Sequence, residues 1–334
     1  MGERIREICY RDMKRYLELL QLGYSEGPAA VDTVDALLQS ARLYGRFFYL
    51  WKCMSFLHLF PTIIPQILVF EKEGVVVGVR SVRRRGGHRG PFLVIHISVD
   101  PAFRRQNIAR RMRSYFEQNL DPDTSHSILH KVLETNTPQM NSSEGGGYHL
   151  YARETTFFLS PDVWSQTVRV LGKKVDASVS LESIISCKPK WREIKNLKVR
   201  EIPSEMKRCD PQSVFPFGRP PGISNILTNI FLTRPEWKGG IIINGELVGS
   251  AVLLYHRLQR TYELDISALP EHNDAVYVLL LQVMNHLSER AKAPVNVIVC
   301  DYQTSVVEVL KNSDFAVKEK KRLYYKKIDP RLSN

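Results

Sequence analysis

The sequence has few cysteines and no pattern that would organise them. Five cysteines occur among 334 residues, and no two of them form a C-x-x-C pair. This spacing excludes the usual arrangements of zinc ligands, and the odd number argues against a disulfide framework. We therefore expect no metal site and a reducing compartment, the cytoplasm.

The sequence also has no apolar run long enough to cross a bilayer, which takes about 20 consecutive apolar residues. Its most hydrophobic stretch, residues 36–60, is interrupted by Lys52 and His58 and is followed by Pro61. We predict no transmembrane segment. The stretch should be buried in the first domain or line an acceptor pocket, and the alternative is a helix that lies on a membrane surface or binds a partner.

Acidic residues are scarce in one part of the chain. The net charge is +12, and ten arginines lie between residues 80 and 113, where Asp100 is the one acidic residue. Such a concentration attracts polyanions. A phosphorylated cofactor and a nucleic acid would both respond to it, so the charge alone does not distinguish them.

A sequence repeat divides the chain into two similar parts. Gly78 and Gly249 each follow a valine in the second strand of a predicted hairpin, and Pro101 and Pro270 each end the next strand. One period of about 170 residues accounts for the spacing of both pairs. Because 334 residues are more than one ordinary core needs, the repeat predicts two copies of one fold.

The second copy begins after a basic segment. Residues 197–202 resemble the first strand at residues 4–8, which predicts a strand there as well. We therefore predict a first domain at 1–165, a basic connector at 166–196 and a second domain at 197–334.

The stretch from His96 to Met112 carries the clearest chemistry. An alternating strand over residues 93–99 ends before Pro101, and apolar residues at helical spacing predict a helix that begins near Gln106. The start of a helix has unpaired N–H groups and partial positive charge. A strand, an arginine-rich loop and a helix in this order therefore suit a phosphate group.

Residues 99–109, with the sequence VDPAFRRQNIA, resemble the acetyl-CoA loop of the GNAT N-acetyltransferase superfamily. That loop has the pattern V-x-P, an aromatic residue, then Gln/Arg-x-x-Gly-x-Gly/Ala. Arg104 matches the first position of the second part and Ala109 the last. Asn107 departs from it, because it stands where the family usually has glycine and adds a Cβ atom near the pyrophosphate. Asparagine does tolerate unusual φ angles better than most residues.

The resemblance implies an α/β (α+β) fold of two tandem GNAT-like domains, each a mixed, mostly antiparallel sheet flanked by helices. It implies an acyltransferase that moves an acetyl or other acyl group from CoA to a primary amine of a small molecule or peptide, by direct attack on the thioester. The pantetheine arm would lie between the central strand and a fifth strand at residues 130–136. The implied cofactor-binding residues are Ile97, Val99, Arg104, Arg105, Gln106, Asn107, Ile108, Ala109, Arg110 and Asn136.

Three residues are candidates for proton transfer. His96 and Glu134 lie on the two strands that should flank the thioester, and either could take the proton of the amine. The family's general-acid tyrosine lies on a helix, but Pro138 and three glycines argue against a long helix here. Tyr151 is our candidate, with Tyr148 as the alternative. The alternative for each is an ordinary structural residue of the sheet, which is the more common role of such residues in strands.

The second copy lacks the loop chemistry, since Glu271 and Asp274 stand where the phosphates would lie and would repel them. We predict that it is degenerate and that the chain binds one CoA. The competing hypothesis is a non-catalytic protein of this fold that binds a polyanion such as nucleic acid. The arginines that would do so are Arg83, Arg84, Arg85, Arg89, Arg104 and Arg105.

Overall fold

The structure, a computed structural model, describes residues 2–25, 31–56, 65–85, 90–120, 127–178, 185–214, 233–257, 259–290 and 292–327. Its contacts divide the chain into two units. Unit 1 comprises Met1–Tyr151 with Arg322–Asn334, and unit 2 comprises Ala152–Lys321. This division differs from the boundaries predicted at 165/166 and 196/197, because a repeat follows the order of the chain and does not predict that a late strand joins the first unit.

The strands are numbered in chain order: β1 (Glu3–Glu7), β2 (Gln66–Lys72), β3 (Val75–Arg84), β4 (Phe92–Val99), β5 (Ser127–Leu133), β6 (His149–Leu159), β7 (Ile185–Cys187), β8 (Thr233–Ile243), β9 (Glu246–His256), β10 (Thr261–Ala268), β11 (Val295–Cys300) and β12 (Ala316–Lys327).

The α-helices within the described residues are α1 (Met13–Ser25), α2 (Val31–Arg46), α3 (Phe48–Phe56), α4 (Ile108–Gln118), α5 (Thr137–Glu144), α6 (Trp164–Ser178), α7 (Trp191–Glu201), α8 (Ser204–Cys209), α9 (Asn273–Ser288) and α10 (Thr304–Lys311).

Each unit contains a mixed sheet with helices packed on it, as predicted. In unit 1 the strand order is β1-β2-β3-β4-β5, followed by the last residues of β12. In unit 2 the first residues of β12 are followed by β6-β11-β10-β9-β8-β7. The β4–β5 and β10–β11 pairs are parallel, and the other pairs whose register is resolved are antiparallel.

The two repeated glycines have the same structural role. A Cβ atom on Gly78 would lie 2.9 Å from the Ile108 side chain of α4, and one on Gly249 would lie 3.1 Å from Ala275 of α9. Helix α4 therefore crosses β3, and helix α9 crosses β9, at the one position where the strand has no side chain. This shared contact accounts for the repeat that the sequence shows.

The hydrophobic stretch at 36–60 is only partly enclosed. It forms much of α2 and all of α3, and Tyr44 and Phe48 belong to a core cluster with α1. Phe47, Tyr49 and Leu50 are exposed, and residues 57–60 lie outside the described part of the chain. Within the described residues, no helix combines the length and hydropathy that crossing a membrane requires.

Two local predictions were wrong. Residues 197–201 belong to helix α7 rather than to a strand, and the short strand β7 is what precedes that helix. Ile194 and Leu197, which are three residues apart, are buried as helical spacing requires, whereas Val199 is exposed. The predicted helix start near Gln106 is also two residues early, because α4 begins at Ile108.

Candidate functional site

A bulge in β4 determines which residues face the site. Val94 pairs with Val82 and His96 pairs with Ser81, so Ile95 is an extra, unpaired residue. Such a bulge bends its strand and reverses the face on which the following side chains lie. Before it, Val94 packs in the cluster that contains α4. After it, His96 faces α1, where its ring lies 5.5 Å from that of Tyr16.

The pairing of β4 with β5 ends where this bulge begins. Their last pair is Val94 with His130, and beyond it the two strands share no register. The Asp100 N–H donates to Val77 on β3 at 2.9 Å, so by alternation the Ile97 and Val99 backbone groups point away from β3. They therefore face the opening between residues 95–99 and residues 131–133, which we call the unit 1 gap.

The loop after β4 shapes the start of α4. The Asp100 carboxylate accepts a hydrogen bond from the Ala102 N–H at 2.9 Å and closes a tight turn. Arg105 (φ 63°) and Asn107 (φ 59°) then adopt the left-handed conformation. Asparagine is among the few residues that take this conformation readily. Asn107 thus provides the turn that glycine would give, and its Cβ atom is the difference that remains.

The first turn of α4 is open to a ligand. Asn107 immediately precedes the helix, but its side chain makes no capping hydrogen bond, and the first turn contains no acidic residue. The N–H groups of Ile108, Ala109 and Arg110 lie too early in the helix to find acceptors within it. These amides and the helix dipole together form a site that suits a phosphate.

The predicted phosphate-binding side chains have different surroundings. Arg104 lies at the mouth of the gap, where its Nε donates to the Val99 carbonyl at 3.3 Å. Gln106 accepts a hydrogen bond from Lys72 at 3.1 Å. The Ile108 side chain is buried in the core, so only its backbone could contact a ligand. Asn107 and Arg110 line a shallow depression beside α4.

Asn136 organises the other side of the gap. Its side-chain oxygen accepts from the Gln139 N–H at 3.2 Å, which caps α5 at its start. The Gln139 side chain in turn lies 2.9 Å from His130 Nε2, and Ser143 Oγ lies 2.9 Å from His130 Nδ1. Burial lowers the pKa of His130 to about 3, so its ring is neutral at physiological pH.

A small enclosed cavity of about 30 Å³ adjoins this network. Ile97 and Ala109 contribute to its wall, together with two buried residues, Arg80 of β3 and His130 of β5. The sequence patterns had indicated no role in the site for either of these two. Tyr148 lines it as well. Burial raises the pKa of Tyr148 to about 12, and its hydroxyl donates to Glu117 at 3.2 Å. The signal for Arg80 was present, since it is a lone charge within an apolar strand pattern.

The three predicted proton-transfer residues do not form one cluster. His96 is buried against α1, and desolvation lowers its pKa to about 3. Glu134 follows β5 and lies 3.8 Å from Arg322, with about a third of its side chain exposed. Tyr151 is half-buried on β6. Their roles stay predictions.

The equivalent gap in unit 2 is occupied by the protein's own side chains. The β10–β11 pairing ends at Leu264 with Val297. Beyond that pair, Gln303 Nε2 donates to the Ile266 carbonyl at 3.1 Å, and the Ala268 N–H donates to Glu201 at 3.4 Å. By the period of the sequence repeat, Ile266 and Ala268 are the counterparts of Ile97 and Val99.

A buried ion pair lies next to this closure. Lys198 of α7 contacts the Asp265 carboxylate at 2.7 Å, and the Lys198 side chain is only 8% exposed. Asp265 is the counterpart of His96 in the same repeat, so the ion pair takes the place of the ring contact between His96 and Tyr16. Burial also raises the pKa of Glu201.

The arginines proposed for polyanion binding lie at both ends of β4. Arg84 pairs with Phe92 at the start of β4, and Arg104 follows the end of that strand. Eight strand residues separate them by about 25 Å. Arg89 lies outside the described residues. This separation does not favour the hypothesis of a single nucleic-acid surface.

The chain matches no known family model and no curated protein in sequence. Its structure is similar to a tandem GNAT protein from the clavulanic acid biosynthesis pathway, with a TM-score of 0.58, 15% identity, and coverage of 98% of this chain and 99% of that one. It is also similar to a GCN5-related N-acetyltransferase from Sphaerobacter thermophilus, with a TM-score of 0.56, 14% identity, and coverage of 98% and 96%.

A third similar structure is the GCN5-related glucosamine N-acetyltransferase region of a fungal multi-domain GH3 β-N-acetylglucosaminidase. Its TM-score is 0.62 at 10% identity, and the match covers 97% of this chain and 38% of that longer one. The chain therefore has the tandem GNAT fold, as the loop at residues 99–109 and the repeat of about 170 residues together predicted.

Proposed function

We propose that unit 1 binds an acyl-CoA and transfers its acyl group to a primary amine. The observation that carries this proposal is the continuity between the open first turn of α4 and the unit 1 gap. The turn offers amides to the pyrophosphate, and the Ile97 and Val99 backbone groups offer strand-like pairing to the pantetheine arm. In unit 2 the matching backbone groups already have partners.

The reaction that this geometry supports is direct attack of the amine on the thioester carbonyl. The amine nitrogen bonds to the carbonyl carbon, the carbon–sulfur bond breaks, and its electron pair leaves with sulfur. A backbone N–H at the gap, such as that of Val99, would hold the carbonyl oxygen as negative charge develops on it. No covalent enzyme intermediate is needed.

We assign the removal of the amine proton to Glu134 rather than to His96. His96 is enclosed against α1, on the face opposite to the Ile97 and Val99 side chains, and an incoming amine does not reach it. Glu134 is partly exposed and follows the strand that borders the gap. Tyr151 remains our candidate for protonating the leaving thiolate.

Calorimetric titration with CoA tests the binding part of this proposal. We expect saturable binding with a stoichiometry near one per chain. Acyl transfer is then measured by mass spectrometry on a panel of amines that includes polyamines, amino sugars and lysine peptides. Glu134→Gln should lower kcat and change its pH profile while CoA binding persists. A chain that binds neither CoA nor acetyl-CoA would overturn the proposal.

A further inference from the structure

Arg80 is a buried cation without a complete set of partners. Its residue is 3% exposed, and no acceptor among the described residues lies within hydrogen-bond distance of Nε or Nη2. The guanidinium rests against the Phe116 ring, with its central carbon 5.3 Å from the ring centroid. A charge held away from water with two of its three nitrogens unpaired is unfavourable, so a buried guanidinium in this state is suited to an anion that arrives with a ligand.

The two free nitrogens define the shape of that anion. Nε and Nη2 lie on the same side of a guanidinium and point in the same direction, which matches two oxygens of a planar carboxylate. Elsewhere in unit 1, the same two nitrogens of Arg4 contact one oxygen of Glu71 at 3.1 and 2.7 Å. Those of Arg6 contact its other oxygen at 2.8 and 2.6 Å. The chain thus uses this pair for carboxylate recognition when a carboxylate is present.

The charges around the cavity favour an anion as well. Besides Arg80, the lining includes Arg113, whose Nη1 donates to the Ser142 carbonyl. The nearby carboxylate is Glu117, which accepts from Tyr148 at 3.2 Å and from Lys326 at 2.7 Å. Because Lys326 already balances Glu117, the excess charge at the cavity is positive.

The size and position of the cavity restrict the ligand further. A water molecule needs roughly 10–15 Å³ of cavity volume. The cavity of about 30 Å³ therefore holds a group about twice the size of a water molecule. That is enough for a small anionic group such as a carboxylate. Ile97, whose backbone borders the unit 1 gap, also lines this cavity.

We propose that the Arg80 cavity binds the terminal carboxylate of a dicarboxylic acyl group carried on CoA, of the malonyl or succinyl type. This inference rests on the proposed function, since it names the acyl donor of the same site. The carboxylate is recognised and does not react. In the transfer step the amine still displaces sulfur from the thioester carbonyl at the other end of the acyl group.

Matched pairs of thioesters test the inference. Calorimetry would compare succinyl-CoA with butyryl-CoA and malonyl-CoA with propionyl-CoA, with CoA alone as the reference. Each pair has the same number of acyl carbons and differs in the carboxylate. We expect one dicarboxylic thioester to bind about tenfold to a hundredfold more tightly than its neutral partner. Equal affinities within both pairs, in a chain that binds CoA, would overturn this inference and leave the proposed function standing.

Substitution of Arg80 gives the second test. Arg80→Met should reduce the affinity for the preferred dicarboxylic thioester to that of its neutral partner. Arg84→Met is the matched control, because Arg84 lies on the same strand and covers the Phe92 ring at 4.3 Å but does not line the cavity. It should keep the preference.

The ligand-free melting temperature provides a third readout. Arg80→Met should raise it, because the change removes an unpaired buried charge. If Arg80→Met does not fold, Arg80→Lys is the substitute variant. It keeps the charge but not the two parallel N–H groups, and it should retain only part of the preference. A full preference in either folded variant would show that the carboxylate is bound elsewhere.

Discussion

Units 1 and 2 share a strand order and the helix contact at Gly78 and Gly249, yet the loop after β4 differs from the loop after β10. In unit 1, Ile108 contacts the glycine position and lies seven residues after Pro101; in unit 2, Ala275 does so and lies five residues after Pro270. The two additional residues of unit 1 accommodate the left-handed turn at Arg105 and Asn107. The loop of unit 2 is two residues shorter, and no described residue between Pro270 and α9 adopts the left-handed conformation.

β4 and β10, which precede these loops, also differ. β4 has the bulge at Ile95, whereas β10 pairs with β9 without a shift in register. In unit 2, Gln303 and Glu201 hydrogen-bond to the backbone of Ile266 and Ala268, beyond the parallel pairing. The counterparts of these backbone groups in unit 1 are the ones we assign to the cofactor. The comparison shows that one fold provides either an open gap or a closed one, and that a few polar side chains determine which.

The largest effect is expected from breaking the ion pair of unit 2. Lys198→Met leaves the Asp265 carboxylate buried without its partner, which should lower the free energy of unfolding by about 3–5 kcal/mol. Chemical denaturation measures the loss. The double variant Lys198→Met/Asp265→Leu should recover most of it. A single variant as stable as the parent chain would mean that the pair contributes nothing to closing the gap of unit 2.

Acid should weaken unit 1 before unit 2. Burial lowers the pKa of His96 and of His130 from 6.5 to about 3, so the unfolded chain binds more protons between these values. Stability is therefore lost as the pH falls through this window, by about 2 kcal/mol from pH 6.5 to 5.5 for the two histidines together. Hydrogen exchange should show faster opening of β4 and β5 than of β10 and β11.

His96→Phe is the control for this pH effect. It removes one of the two titrating rings and keeps an aromatic group against Tyr16, so the pH dependence of unit 1 should fall to about half. Unchanged dependence would assign the acid sensitivity to other groups.

Charge reversal at the loop tests which unit holds the cofactor. Arg104→Glu/Arg105→Glu changes the charge near the start of α4 by four units. Each elementary charge near a helix start contributes roughly 0.3–1 kcal/mol to anion binding, so CoA binding should weaken about 10- to 1,000-fold. The mirrored variant Glu271→Lys/Asp274→Lys in unit 2 should leave calorimetric CoA binding unchanged. The opposite result would move the cofactor to unit 2.

The smallest effect is expected at Asn107. Asn107→Gly removes the Cβ atom from a left-handed residue and adds freedom to the unfolded chain, so the free energy of unfolding should change by less than about 1 kcal/mol. CoA binding should tighten a few-fold if the Cβ atom crowds the pyrophosphate. Asn273→Gly at the start of α9 is the control and should not affect CoA. Weaker binding after Asn107→Gly would show that the side chain itself contacts the cofactor.

Local patterns predicted the parts of the site that depend on neighbouring residues. The strand before Pro101 and a helix that begins within two residues of Gln106 follow from spacing, and the repeated Gly78 and Gly249 predicted the two copies. The alternation of β4 was predicted, but the reversal of its faces at Ile95 was not. A bulge depends on the register with β3, which the sequence of one strand does not contain.

The residues that were missed depend on distant parts of the chain. Arg80 of β3 and His130 of β5 come from different strands and meet at one cavity only after the sheet has formed. Residues 197–202 were assigned to a strand because they resemble residues 4–8, and that likeness concealed the helical spacing of Ile194 and Leu197. The closure of unit 2 by Gln303 likewise joins segments that are 37 residues apart.

The path of β12 has a consequence for how the protein is made. Residues from Arg322 onward belong to unit 1, where Tyr324 is fully buried and its hydroxyl donates to Glu144 at 2.8 Å. Lys326 joins Glu117 of α4 to the Gly146 carbonyl. The unit synthesised first on the ribosome thus lacks a strand until translation has passed residue 327. A nascent chain stopped earlier holds α4 and α5 without these contacts, so both helices acquire these partners only after Tyr324 and Lys326 have been synthesised.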